Sequence, residues 1–379
     1  MIVIEHGPLG KPVVFDTPRQ VLVAWQAEDV LPMLAQAEAA RAQGAWVAGY
    51  LTYEAGHVFE PRLHASLKRD ATAPLAVLGV FAPPKDAGAA LTKAQENAPQ
   101  ARLAPLQPVI ERAGYDDAFA KLQNYIAAGD CYQINLTFPL ASRLLSGTAL
   151  GLYGALRAGQ HVGFGALIDM GVGPVIISRS PELFFQVRDG VIESRPMKGT
   201  APRSADATQD AALLQELRDS EKSQAENLMI VDLLRNDIAR ISEIGSVKVP
   251  ELFAIDSFAT VHQMSSRIQG RLQHGADLPG LMAALFPCGS ITGAPKIRAM
   301  QIIAELEPHP RGVYCGAIGW AAPSGDQCWS VGIRTLRLSP DGQILANVGG
   351  GVVQDSTATG EWEEAMWKAR YMQALISQG

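Results

Sequence analysis

Residues 183–203 read LFFQVRDGVIESRPMKGTAPR. Two apolar runs rich in Val, Ile and Phe, residues 183–187 and 191–194, flank Asp189-Gly190, a pair that readily takes the left-handed backbone of a two-residue hairpin. The stretch after the second run, Arg195-Pro196-Met197-Lys198-Gly199-Thr200-Ala201-Pro202-Arg203, places a lysine between a proline and a glycine directly after a strand. Proline fixes φ and glycine relaxes it, so Lys198 sits on a defined backbone with little room for its usual solvated excursion. From these residues alone a surface lysine in a turn is an equally ordinary reading.

Outward from this hairpin the chain alternates strand and helix signals. Residues 1–81 carry strand-like runs at 12–15, 46–53 and 75–81 and an Ala-rich helical segment at 30–43. Residues 82–112 lose periodicity and are rich in Ala, Pro, Gln and Lys, which predicts a linker or loose excursion. Residues 113–379 form the third region. Phe119, Leu122 and Ile126 have helical spacing over 115–128, and Gly129-Asp130 then turns the chain into a β-rich run at 131–138. Further strands are predicted at 164–169, 175–178, 316–321, 330–338 and 343–348. Helices are predicted at 210–241, with a polar break at 219–225, and at 359–377. Periodicity alone supports a mixed α and β fold.

The 379 residues are 47% hydrophobic and 18% charged, enough apolar matter for a large core and too little charge for disorder. The net charge of −6 lacks long single-sign runs, so no electrostatic footprint for nucleic acid or an anionic membrane exists. Residues 161–178, the most apolar stretch, are interrupted by Asp169 and glycines and read as buried strands rather than a membrane span. Met1 leads directly into a strand-like run, unlike a signal peptide. Cys131, Cys288, Cys315 and Cys328 form no CxxC pair, which disfavours a disulfide framework or zinc site and fits a reducing cytoplasm.

Several residues suggest chemistry on their own. Glu361 and Glu364 are three apart on one side of the last helix, beside an apolar stripe that includes Trp362, Ala365 and Met366. Two carboxylates there suit a cation; equally, first-turn glutamates complement the helix dipole, and Glu364 can pair with Lys368 at i+4. The run Gly349-Gly350-Gly351 lets backbone N–H groups approach a carboxylate. Arg334 suits either a bidentate carboxylate clamp or a structural ion pair. His262 lies in an apolar run where a satisfied core histidine is the common case.

The lysine segment resembles the PIKGT motif of the chorismate-utilising enzymes. GDCYQINLT at 129–137, SPEL at 180–183, AENLMIVDLLRNDIAR at 225–240, GSITGAPK at 289–296, GGGV at 349–352 and GEWEEAMWK at 360–368 resemble the same family in the same order, covering residues 115–379. Residues 1–81 are similar chiefly through GYLTYEAG at 49–56. Two departures stand out. Met197 replaces the usual Ile, and Ser223 replaces the Asp usually found three residues before the metal-binding glutamate.

The resemblance implies an α/β (α+β) fold like anthranilate synthase component I, a sandwich of two large, mostly antiparallel sheets with outer helices and the pocket between. Lysine at position 198 marks the aminodeoxychorismate synthases within the family, whereas anthranilate synthases carry Ala. The implied activity is conversion of chorismate and ammonia to 4-amino-4-deoxychorismate, en route to p-aminobenzoate and folate. Lys198 would be nucleophile and Glu182 general acid, with Mg²⁺ held by Glu226, Glu361 and Glu364. Gln133, Thr200, His262, Thr292, Gly293, Tyr314, Arg334, Gly349, Gly350 and Lys368 fall on positions that line the family's pocket. Gln133 stands where isochorismate-forming members carry a water-activating lysine, which argues against hydroxide delivery. Glu363, on the solvent side, is excluded from the metal set.

Near neutral pH only about one unperturbed lysine in two thousand is uncharged, so the site must lower the Lys198 pKa. A shift of about three units corresponds to roughly 4 kcal/mol. The chain ends about fifteen residues past Glu364, too few for a fused lyase, and nothing resembles a glutaminase. Ammonia is therefore expected from a glutamine amidotransferase partner or from solution. The rival readings are anthranilate synthase component I and, in another class, a non-catalytic subunit that binds chorismate or an aromatic amino acid.

Overall fold

The computed structural model describes residues 1–258 and 261–376. Its apolar runs form two sheets, in which every strand ladder is antiparallel. The first has eleven strands, nine of them in the order Gly293–Ala294, Gln133–Ser146, Gln343–Val352, Thr335–Leu338, Val175–Ser180, Phe164–Ile168, Ile2–Ile4, Val13–Phe15, Lys85–Asp86, with Arg102–Leu103 and Gln107–Pro108 paired on Gln133–Ser146. The second, of ten, runs Met197–Pro202, Val261–Arg271, Val191–Ser194, Leu183–Arg188, Gln327–Val331, Ala317–Ala321, Trp46–Leu51, Ala76–Phe81, Gln20–Ala24. Lys248–Ser257 pairs on Val261–Arg271 as well.

The sheets pack face to face because alternate residues of each are apolar. Phe15 of the first meets Phe81 of the second with ring centroids 5.3 Å apart, and Trp46 and Trp320 add a second aromatic pair at 5.6 Å. Around them Ile2, Ile4, Ile168, Tyr50, Val77 and Ile318 close a dry core. Truncating one such buried aromatic typically costs about 3–5 kcal/mol. Helices cover the outside: Ala27–Ala42 lies over the strands Gln20–Ala24, Trp46–Leu51 and Ala76–Phe81, and Glu221–Ala239 over Val261–Arg271 and Met197–Pro202. No described helix is long and apolar enough to cross a membrane.

The hairpin at Asp189-Gly190 forms as expected. Arg188 pairs with Val191, and Asp189 and Gly190 take φ of 49° and 73°, the primed turn geometry that matches strand twist. The predicted helix at 210–241 breaks at Ser220 into Ala207–Asp219 and Glu221–Ala239, because the Ser220 side chain accepts from Ser223 N and caps the second helix.

Other expectations fail for identifiable reasons. Residues 82–112 are not a free linker: Lys85–Asp86 extends the first sheet, Gly88–Asn97 packs on the helix Ala149–Gly159, and Arg102–Leu103 and Gln107–Pro108 pair with Gln133–Ser146. Alanine and proline hide such elements because their burial is decided by distant partners. The run at 330–338 is not one strand. Its first part belongs to the second sheet and Thr335–Leu338 to the first, with Arg334 at φ 49° where the chain changes sheets. The last helix ends at Lys368 and continues as 3-10 turns over Arg370–Leu375; its expected end at Ser377, and the Ala259-Thr260 approach to His262, lie outside the described residues.

Candidate active site

Lys198 owes its direction to a bulge. Met197 pairs with Ser265 and Thr200 with Gln263, so three steps on one strand face two on the other. Gly199 absorbs the extra residue at φ 85°; such bulges re-aim a side chain out of the ladder. The amine turns toward the opposite sheet: a methyl group built on Gly351 would stand 3.2 Å from Lys198 Nζ and 2.7 Å from Gln133 Nε2. Only a glycine leaves that space free. Gly349, Gly350 and Gly351 lie within the strand Gln343–Val352, opposite Thr137, Leu136 and Asn135, rather than after it.

The same absence of side chains gathers the acidic groups. A methyl group on Gly350 would lie 2.7 Å from Glu361 Oε2, 3.4 Å from Lys368 Nζ and 3.8 Å from Glu364 Oε1. The helix that carries them, Ala358–Lys368, is capped by Thr357 and anchored by Trp362, which stacks on Phe138 at 4.5 Å. Lys368 forms the expected i+4 pair with Glu364 at 2.8 Å and donates to Gly349 O at 2.8 Å. Ser356 donates to Glu361 Oε1 at 2.7 Å, and Glu363 is exposed.

Electrostatics mark Lys198 as unusual. It is half-buried, and no described residue forms a hydrogen bond or ion pair with Nζ. Desolvation lowers its pKa from the usual lysine value; Glu226 and Glu182 oppose that shift and Lys368 adds to it. Burial pushes the Glu182 carboxyl up, against a hydrogen bond from Ser290 and the charge of Lys198. Desolvation likewise raises Glu361, helped by Glu364. For Glu364 desolvation is outweighed by Lys368, with Lys198 and Lys222, and its carboxyl lies below the usual range. A depressed amine facing a raised acid is the arrangement that nucleophilic and acid catalysis require.

Gln133 is 1% exposed, and neither its amide oxygen nor its nitrogen has a partner among the described residues. An unpaired buried amide costs roughly 1–3 kcal/mol, a cost that a ligand relieves by supplying the missing partners. Gly293 and Ala294 pair with Ile134 and Gln133, and Thr292 O accepts from Asn135 N, which brings the GSITGAPK segment beside Gln133. Thr292 itself is buried and donates to Cys288 O. Tyr314 is buried, and burial pushes its phenol up. Arg334 pairs with no described acid; desolvation lowers its guanidinium, and Tyr371 opposes this. It is thus not the structural ion-pair residue that was its alternative reading.

Three residues stand differently. His262 is buried with both ring nitrogens engaged, by Ser257 Oγ at 2.8 Å and Asp210 Oδ1 at 3.2 Å. That is a satisfied histidine bonded to the helix Ala207–Asp219. Thr200 is exposed and donates to Gln263. Glu226 is half-buried on Glu221–Ala239; its charge acts on Lys198, yet no three acidic, His or Cys groups among the described residues converge at metal-binding distance. Glu361 and Glu364 already present oxygens toward one point, and an oxygen-only set suits a hard divalent ion. Ser223 packs where a methyl on Gly199 would meet its Oγ at 2.9 Å, directly behind the bulge.

Two supports were invisible to the sequence reading. Ser290 donates to Glu182 Oε1 at 2.6 Å. Arg311, 1% exposed, donates to Asn135 O at 2.6 Å, Ile291 O at 3.1 Å and both oxygens of Glu307, over the Tyr53 ring at 4.6 Å. It thereby pins the two backbone segments that carry Gln133 and Ser290. Their inclusion in quoted motifs was the only sequence signal for Ser290; Arg311 had none.

Residues 10–374 match the family described as chorismate binding enzyme. The chain is 43% identical to aminodeoxychorismate synthase component 1 of Klebsiella aerogenes, over 71% of this chain and 63% of that one. It is 39% identical to anthranilate synthase component 1 of Streptomyces coelicolor, over 70% and 52%. It therefore spans less than two thirds of the length of these relatives. Among solved structures, anthranilate synthase component I from Streptococcus pneumoniae TIGR4 superposes with a TM-score of 0.80 at 26% identity, over 95% of this chain and 91% of that one. With a two-sheet sandwich, an amine at a bulge and a glycine-lined acidic cleft in agreement with that match, the chain belongs to the chorismate binding enzyme family.

Proposed function

We propose that this chain is an aminodeoxychorismate synthase component I, which converts chorismate and ammonia to 4-amino-4-deoxychorismate. The observation that carries the reading is the Lys198 amine, unpaired among the described residues and desolvated, aimed at the glycine-lined gap between the sheets. Lys198 Nζ bonds to C2 of the ring, the ring π electrons shift, and the C4–O bond breaks. The hydroxyl takes the proton of Glu182 and leaves as water, and the Glu182 carboxylate so formed accepts the proton that the lysine nitrogen loses. Ammonia then bonds to C4, the π electrons return and the C2–N bond breaks; protonated Glu182 gives its proton to the departing lysine nitrogen and the new C4 ammonium returns one to Glu182, which regenerates both residues. Among the described residues Arg334 has no acidic partner and the Gln133 amide no hydrogen-bond partner; Arg334 binds the enolpyruvyl carboxylate, and the Gln133 amide faces the ring.

Glu226, Glu361 and Glu364 are the residues that would hold Mg²⁺, which would supply neutralisation of the ring carboxylate that opposes attack at C2. Ammonia comes from a glutamine amidotransferase subunit, and the four unpaired, buried cysteines fit a reducing cytoplasm. The test is product identification by mass spectrometry after incubation with chorismate, Mg²⁺ and ammonium. The amino-deoxy ester supports the reading; anthranilate with pyruvate supports the sister activity instead. Turnover that survives exhaustive EDTA treatment removes the three glutamates from their metal role.

A further inference from the structure

We propose that Ser290 is a positioning residue for Glu182: its hydroxyl holds Oε1 as a permanent acceptor and so assigns Oε2 as the oxygen that delivers the proton. This deepens, and rests on, the function proposed above. The geometry comes from two contacts and a free carboxylate oxygen. Ser290 Oγ donates to Glu182 Oε1 at 2.6 Å, and Cys288 Sγ lies 3.2 Å from the same hydroxyl. No described residue hydrogen-bonds Glu182 Oε2.

A serine hydroxyl has one proton to give and lone pairs to receive. Cys288 is buried and desolvation pushes its thiol up to about 12, so it keeps its S–H; with the one serine proton given to Glu182 Oε1, Ser290 Oγ is left as the acceptor in its contact with Cys288. That contact leaves the serine proton directed to Oε1. Oε1 can accept it whether Glu182 is charged or neutral, which leaves Oε2 as the site for the transferable proton. When the C4–O bond breaks, the Oε2–H bond breaks too, the proton goes to the departing hydroxyl, and Glu182 remains as carboxylate.

The charged and titratable groups that face Glu182 are few. Among the described residues, the Lys198 charge acts on Glu182, and the charge of Glu182 acts in turn on the Cys288 and Cys315 thiols. Backbone anchoring makes the arrangement rigid. Ser290 belongs to the turn Gly289–Ile291, and Arg311 holds Ile291 O at 3.1 Å. Glu182 N donates to Ser180 Oγ at 3.2 Å, and Val331 N donates to Glu182 O at 3.1 Å.

Ser290→Ala removes a donor to the carboxylate, so the Glu182 pKa rises and the pH limb governed by the acid moves to higher pH. Loss of the fixed oxygen lowers kcat about tenfold with KM for chorismate little changed, and Ser290→Thr, which keeps a hydroxyl, restores both. The independent readout is a carboxyl ¹³C NMR titration of Glu182 in labelled full-length protein, with Ser290→Cys, an isosteric weak donor, as a second variant should the alanine protein fail to fold. The expected result is a higher Glu182 midpoint in the Ala variant, or a smaller rise in the Cys variant. An unchanged midpoint, or activity lost equally at every pH, overturns the proposal. Failure of the wild-type protein to use chorismate would overturn the proposed function, while the NMR titration would still decide the role of Ser290.

Discussion

Arg311 and Lys198 are both cations whose charge desolvation opposes, and the molecule treats them in opposite ways. Arg311 meets four oxygen acceptors and an aromatic face, and the Glu307 carboxylate outweighs desolvation, so its guanidinium is held above its usual value. Lys198 meets no hydrogen-bond acceptor among the described residues and is held below its usual value. A saturated cation braces backbone; an unsaturated one keeps free energy available for a bond to substrate. The difference comes from chemistry as well as place. A planar fork of five donors suits two carbonyls and a carboxylate at once, whereas a single ammonium can lose its proton.

Exchange of the two roles by mutation should give opposite signatures. Lys198→Ala should lower aminodeoxychorismate formation by roughly 10⁴-fold or more in steady-state assays, with a denaturant midpoint close to wild type. Arg311→Met should do the reverse in kind. Loss of one partner from a buried ion pair costs about 3–5 kcal/mol, read by urea unfolding, because Glu307 would stay buried beside Thr137 N without its cation. Should Arg311→Met leave stability unchanged, the bracing role is wrong. Glu182→Gln, which keeps the shape and removes the acid, should lower kcat about 10²- to 10⁴-fold.

Much of this contrast was legible before the fold was known, and the rest was not for a physical reason. Lys198 is recognisable because Pro196 fixes the backbone before it and Gly199 permits the left-handed turn after it, and Gly350 and Gly351 because only missing side chains leave a cleft. The sandwich followed from the family resemblance and the hairpin from local turn chemistry. Arg311 and Ser290 act on partners 176 and 108 residues away, which no local pattern encodes. Arg334 was misread as a strand residue because a chain that changes sheets keeps its apolar alternation on both sides of the crossing. His262 shows the converse: its family position suggested the pocket, while Asp210 and Ser257 occupy its ring.

The smallest expected effect concerns Glu54, whose carboxylate accepts from Arg311 N at 2.6 Å and Gly312 N at 3.0 Å. Burial raises its pKa from 4.5 to about 7. An acid raised on folding binds more protons when folded, so its stabilising contribution is full below pH 4.5 and is lost as pH rises through about 7. The loss is at most about 3 kcal/mol. Glu54→Gln should flatten the decline in unfolding free energy across that window; an unchanged slope would place the titration elsewhere.

The proposed chemistry depends on the bond between Lys198 and carbon, and peptide-mapping mass spectrometry tests it most directly. Full-length protein is mixed with chorismate and Mg²⁺ in ammonia-free buffer, quenched, digested and mapped. The prediction is an adduct of chorismate less one water on the peptide containing Lys198, absent in Lys198→Ala and discharged by added ammonium. Wild-type protein that turns over chorismate with ammonium yet forms no such adduct when ammonia is withheld would contradict it.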